Sequence, residues 1–136
     1  MSSSKNHWID IADMLQLQRQ LLAEHQEWPP HTPENSSYHL LGAVEELGEV
    51  AAILRKVGVD AIMTDGSVRR EYVGELTDIF AFLINNMLCL GITAEELASA
   101  FWRKHHTNLW RDYNAERTAW ISAVHGEKEQ SDDNPA

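Results

Sequence analysis

Apolar residues recur at helical spacing from about Trp8 to Trp28, through Ile11, Met14, Leu15, Leu21 and Leu22, with polar residues between them. The pattern predicts a first helix that stops at Pro29-Pro30, and in the turn-rich stretch that follows Asn35 or Ser36 offers an N-cap for the next. A second helix is expected from about Tyr38 to Val57, with Leu40, Val44, Leu47, Ala51 and Leu54 on its packing side. Glycines and small residues from Gly58 to Gly66 predict a connection. A third helix follows from about Val68 to Leu90, closed by Gly91 as its C′ residue. Thr93 and Glu96 have the form of a capping box, opening a fourth helix through Leu97, Phe101 and Trp102 to at least Trp110. No segment alternates with the period of two that a half-buried strand requires. The expected fold is all-α, a four-helix bundle in which the second and third helices pair as an antiparallel hairpin.

At 136 residues the chain reads as one domain, spanning 1–124, with an acidic and disordered tail over 125–136 where periodicity is lost. A core of this size is modest, so burying the apolar faces favours assembly into a homodimer or homotetramer. The formal net charge of −10 argues against nucleic-acid polymers and anionic membranes, which are bound through Lys/Arg patches that this chain lacks. A small phosphate ligand remains compatible, provided divalent cations sit between its phosphates and the protein's carboxylates. The single cysteine, Cys89, lies in an apolar run and reads as a small buried hydrophobe. The N-terminus lacks an apolar core of signal-peptide length, and the longest uncharged run, Ile79 to Ala94, is too short to span a bilayer. The expected location is the cytoplasm.

Against this background two acidic clusters stand out. Glu45, Glu46 and Glu49 lie on the second predicted helix, and Glu75 and Asp78 on the third. The pairs Glu46/Glu49 and Glu75/Asp78 are spaced i,i+3, which sets two carboxylates side by side on one helical face. Solvated helix faces often carry such glutamates. Asp78, however, heads a long stretch without charge, where a carboxylate needs a partner. Neither segment supplies Lys or Arg at matching spacing, so the natural partner is a divalent metal ion between two facing helices. Carboxylate-only donors favour Mg²⁺ or Mn²⁺ over zinc or copper. A di-iron site of ferritin type would need Glu-x-x-His, and neither cluster has it. Magnesium held this way completes its shell with waters and substrate phosphates, which points to phosphoryl or nucleotidyl chemistry.

The run EELGE at Glu45–Glu49, ELTD at Glu75–Asp78 and KHHTNLWR at Lys104–Arg111 resembles the signature of the all-α, MazG-like nucleoside triphosphate pyrophosphohydrolases. Their pattern is EExxE, a variable gap, ExxD, then a Lys and an Asn on the next helix. The resemblance covers about Leu15 to Tyr113 and is nearest to the short, dCTP-pyrophosphatase-like members. It implies Mg²⁺-dependent hydrolysis of a nucleoside triphosphate to the monophosphate and pyrophosphate, with Glu46, Glu49, Glu75 and Asp78 as metal ligands. Glu45 would orient or deprotonate the attacking water, or support a ligand. Lys104, Asn108 and Arg111, at i, i+4 and i+7, would hold phosphates, and Lys56 falls where relatives carry a basic residue. Without the resemblance the trio reads equally as a polar outer face. Trp28 matches an aromatic position that stacks on the base, with Tyr38 or Tyr72 contributing. Trp102, Trp110 and Trp120 are assigned to core and subunit-interface packing.

The competing class is a non-catalytic helical module, an oligomerising adaptor or nucleotide sensor on the same fold. Retention of Glu or Asp at all four ligand positions favours the enzyme, since a degenerate relative would lose at least one.

Overall fold

A computed structural model of the chain describes residues 8–131, with side chains as far as His125. The described residues are all-helical and contain no strand: α1 spans Ile11–Glu24, α2 Ser36–Thr64, α3 Gly66–Cys89, α4 Ala94–Trp110 and α5 Tyr113–Ser131. A 3-10 turn at Pro33–Asn35 precedes α2. The fifth helix corrects the expectation of four. It opens where Asp112 Oδ1 accepts from the amides of Asn114 (3.1 Å) and Ala115 (2.9 Å), the hydrogen bonds of an N-cap. The expected tail begins inside α5, and residues 132–136 lie outside the described ones. Two compact units divide the chain, Met1–Leu97 and Ala98–Ala136.

In the first unit, α1 is shorter than its apolar periodicity. It starts at a capping box in which Asp13 N–H donates to Asp10 Oδ1 (2.9 Å) and Asp10 N–H to Asp13 Oδ2 (3.0 Å). Leu15 packs with Ile84 and Met87 of α3 as the buried core, flanked by Ile11, Met14, Leu88 and Ile92. The C-terminus of α3 closes as expected at Gly91, whose φ of 66° a side chain would strain. Ile92 N–H donates to Met87 O (3.0 Å) and Gly91 N–H to Leu88 O (3.4 Å), the two bonds of a Schellman motif. Thr93 and Glu96 then form their capping box reciprocally, at 3.1 and 2.8 Å.

The segment 58–66 is less of a loop than its glycines imply. Helical structure continues to Thr64, broken only at Gly58, where φ is 77° and ψ 167°. Asp65 then caps α3 by accepting from the amides of Ser67 and Val68. The chain reverses over the Gly58 break, the short helical stretch to Thr64 and Asp65, and α3 returns along the part of α2 before Gly58. Asn86 Nδ2 donates to Ser36 O (2.8 Å), the His39 and Phe82 rings lie 6.2 Å apart, and Glu46 meets Asp78. The hairpin is antiparallel in a register that pairs the start of α2 with the end of α3.

The face of α2 that packs against α3 differs from the expected one. His39, Gly42, Ala43 and Val50 are buried and Glu46 half-buried, whereas Leu40, Val44, Leu47, Ala51 and Leu54 are exposed. Both sets have helical spacing, and the inward one carries the smaller side chains. Gly42 shows why: a Cβ there would collide with the Phe82 ring, so only glycine allows this approach of the helices. Cys89 is buried as expected.

The second unit contains most of α4 together with α5. Arg111 Nε donates to both carboxylate oxygens of Glu116, at 2.6 and 2.7 Å, and its guanidinium lies 5.1 Å from the Tyr113 ring centre. Trp102, Trp110 and Trp120 are largely exposed and so are not part of a core within this chain. No single helix among the described residues is long and apolar enough to cross a membrane.

Candidate metal centre

The two acidic clusters meet because the hairpin register sets the third turn of α2 opposite the third turn of α3. One carboxylate oxygen from each of Glu46, Glu75 and Asp78 lies within 4.8 Å of the other two. Glu49 completes the group, close enough to Glu75 to act on its ionisation. Partial burial pushes the Glu75 carboxyl above its usual value, and the carboxylates of Glu46 and Glu49 push it further. Among the described residues no ion pair involves any of the four. Negative charge is therefore concentrated where two helices converge, without a cation from the protein to offset it.

Glu45 lies one residue before Glu46 on α2, exposed and outside this group of oxygens. Lys56 follows Glu49 by seven residues, two turns further along the same side of α2, with its side chain exposed and without a partner among the described residues.

Beside the acidic group, in the same unit, is a cavity of about 400 Å³ that Asp78 shares with Trp28, Tyr38, Phe82 and Asn85. Trp28 stacks on His25 with ring centres 4.2 Å apart and an interplanar angle of 11°, which holds the indole flat at the cavity's edge. Tyr72 does not line it. Three groups that the sequence reading did not single out belong here. His31 Nε2 and Asn85 Oδ1 lie 3.0 Å apart. His39, only 5% exposed, has both ring nitrogens buried without a partner, and burial together with the nearby His31 lowers its pKa. Their one sequence signal was Asn85-Asn86 in the middle of an apolar helix, since a buried amide requires partners.

Lys104, Asn108 and Arg111 form a separate group in the second unit. With Arg103 and Tyr113 they line a broad hollow of about 690 Å³. Lys104 and Asn108 have no side-chain partner among the described residues, while Arg111 is engaged by Glu116.

No protein-family model matches the chain, and no curated protein or solved structure matches it.

Proposed function

We propose that the protein is a Mg²⁺-dependent nucleoside triphosphate pyrophosphohydrolase, cleaving (d)NTP to (d)NMP and pyrophosphate in nucleotide-pool sanitation. The observation that supports this most is the convergence of Glu46, Glu75 and Asp78 oxygens within 4.8 Å, beside a cavity walled by aromatic rings. The donor set suits Mg²⁺, with Mn²⁺ as a substitute: every donor is a hard carboxylate oxygen, contributed from two helices, with no protein cation competing. Glu46, Glu49, Glu75 and Asp78 would hold the ion. When bound, it neutralises triphosphate charge and lowers the pKa of water.

The chain's own residues supply the rest. Glu45, next to the ligands in sequence and open to solvent, would orient or deprotonate the attacking water, or support a ligand. Trp28, backed by His25, offers its free face to a base, and Tyr38 and Phe82 narrow the space opposite. In the second unit Lys104 and Asn108 present donors suited to phosphate oxygens, and in the first Lys56 is a cation on α2, where the resemblance expects a basic residue. Arg111 would join them on leaving Glu116. The outward stripe of Leu40, Val44, Leu47 and Leu54 fits a homodimer or homotetramer, because an apolar face of that length is normally covered.

The test is release of monophosphate and pyrophosphate from a panel of canonical and modified NTPs and dNTPs, with Mg²⁺ and with chelator. Metal-dependent release that Glu49→Gln and Asp78→Asn abolish, in folded protein, is the expected result. Absence of turnover on every nucleotide, with Mg²⁺ present, would refute the enzyme and leave a nucleotide-sensing or adaptor module.

A further inference from the structure

The Asn85-Asn86 pair divides its work. Asn86 ties the hairpin together through Ser36 O, a structural task. Asn85 makes no such backbone bond: its Oδ1 meets His31 Nε2 at 3.0 Å, and its Nδ2 has no described partner. An amide oxygen can only accept, so the His31 Nε2 carries the hydrogen and donates it. That bond fixes the amide's orientation and leaves Nδ2 as the uncommitted donor of a residue that lines the cavity with Trp28 and Phe82. A second unused polar group lines the same cavity: the imidazole of His39, buried and without a hydrogen-bond partner. Burial and the nearby His31 favour the neutral form of His39, in which one ring nitrogen is a donor and the other an acceptor. Fold stability does not explain His39, since an apolar side chain there would avoid two unsatisfied buried atoms.

We propose that Asn85 reads the base, donating from Nδ2 to an exocyclic carbonyl oxygen, and that His31 is the positioning residue that sets the amide's orientation. The substrate class is then a nucleoside triphosphate with an oxo-bearing base, such as uracil, thymine, guanine or hypoxanthine, in preference to adenine, which has no exocyclic oxygen. This rests on the nucleotide reading above and deepens it. Stacking on Trp28 is tolerant of base identity, so discrimination has to come from a directional group; Gln18 and Tyr38 also line the cavity, but Asn85 is the one whose amide another side chain, His31, holds in place.

The experiment compares kcat/KM for UTP, GTP, ITP and ATP in wild type, Asn85→Asp, Asn85→Ser, His31→Ala and His31→Gln. In parallel, calorimetry without divalent metal measures binding of the corresponding nucleoside monophosphates. Wild type is expected to prefer oxo bases by about tenfold or more over ATP. Asn85→Asp, which offers only acceptors, should reverse the preference toward amino-bearing adenine. His31→Ala should flatten it with Asn85 intact, and His31→Gln, which keeps an N–H donor, should restore it. Loss of activity that is equal for all bases would be a structural effect and would overturn the proposal. If Asn85→Asp does not fold, Asn85→Ser carries the test, with the preference expected to fall to near unity. A wild type that hydrolyses nucleotides but whose preference is unmoved by both Asn85 variants refutes this inference and leaves the enzyme standing. A wild type without turnover whose monophosphate binding still follows the base, and shifts with Asn85, refutes the enzyme and supports the base-reading site.

Discussion

Replacing Gly42 by alanine sets two effects of opposite sign against each other on α2. Removing a glycine from a helix interior stabilises by about 0.8–1.0 kcal/mol, because the unfolded chain loses freedom it would otherwise surrender on folding. At Gly48, six residues along the same helix, a Cβ would meet no atom within 4 Å, so Gly48→Ala should realise that gain. At Gly42 the Cβ would strike three atoms of the Phe82 ring. Forcing an extra carbon into a packed contact costs about 1–3 kcal/mol. The net for Gly42→Ala is then between about zero and 2 kcal/mol of destabilisation, and the two variants should differ by about 1–3 kcal/mol. Urea unfolding at one fixed protein concentration measures this, with equal slopes confirming that stability alone changed. In a Phe82→Ala background the penalty should vanish and Gly42→Ala should stabilise as Gly48→Ala does. A Gly42→Ala that stabilises as much as Gly48→Ala in the otherwise native chain would refute the close approach of α2 and α3, and with it the placement of Phe82 as a wall of the cavity.

Glu75→Gln should raise the melting temperature in chelator at pH 7 and remove the stabilisation by Mg²⁺ or Mn²⁺ that is expected of wild type. The folded pKa of Glu75 lies above its ordinary 4.5, so the advantage of the variant should be absent below pH 4.5 and grow as pH rises through the raised value; an advantage that does not change with pH would sink the reasoning. The sign reverses at Asp65, whose carboxylate is held below 3.8 by the amides of Val68 and Ser67. Asp65→Ala should therefore be less stable at pH 7, with a gap that narrows only as pH falls below 3.8; thermal melts across pH 2–7 check it. If the chain assembles as proposed, Leu47→Glu, on the outward stripe of α2, should yield monomer in light scattering with helicity retained.

What the sequence made legible was what local spacing controls. The i,i+3 acid pairs, the Gly91 stop and the Thr93–Glu96 cap are all short-range patterns, and the structure contains each. The register that joins the two acid pairs followed from a short connection between two helices. The inward face of α2 was not legible, because two helical stripes compete there and the larger apolar residues belong to the outward one. Hydrophobicity picks the wrong stripe when the partner helix needs close approach more than bulk. Gly58 read as the start of a loop, although one residue at positive φ suffices to break the helix. The start of α5 was within reach, since Asp112 has the side chain of an N-cap, but nothing in the periodicity drew attention to it. Asn85 lies 54 residues from His31 and meets it only through tertiary packing, which no local pattern around His31 or His39 announces.

The stripe that packs inward also explains why the acids meet at all. Gly42 and Ala43 lie one turn before Glu46 on the same face, so the helix separation that admits Phe82 against bare backbone is the separation that brings Glu46 to Asp78 and Glu75. Larger residues at 42 and 43 would add apolar burial and push the helices apart, and the carboxylate oxygens would no longer converge. The site thus depends on a thin core between α2 and α3, and the apolar residues absent from that core are present on the outside of α2. A chain built this way gives up internal packing around the acidic group and is left with a face to cover. If a cation in the site and a partner on that face both stabilise this hairpin, then metal binding and assembly should be thermodynamically linked: Mg²⁺ should tighten assembly, and Leu47→Glu should weaken Mg²⁺ binding by the same factor.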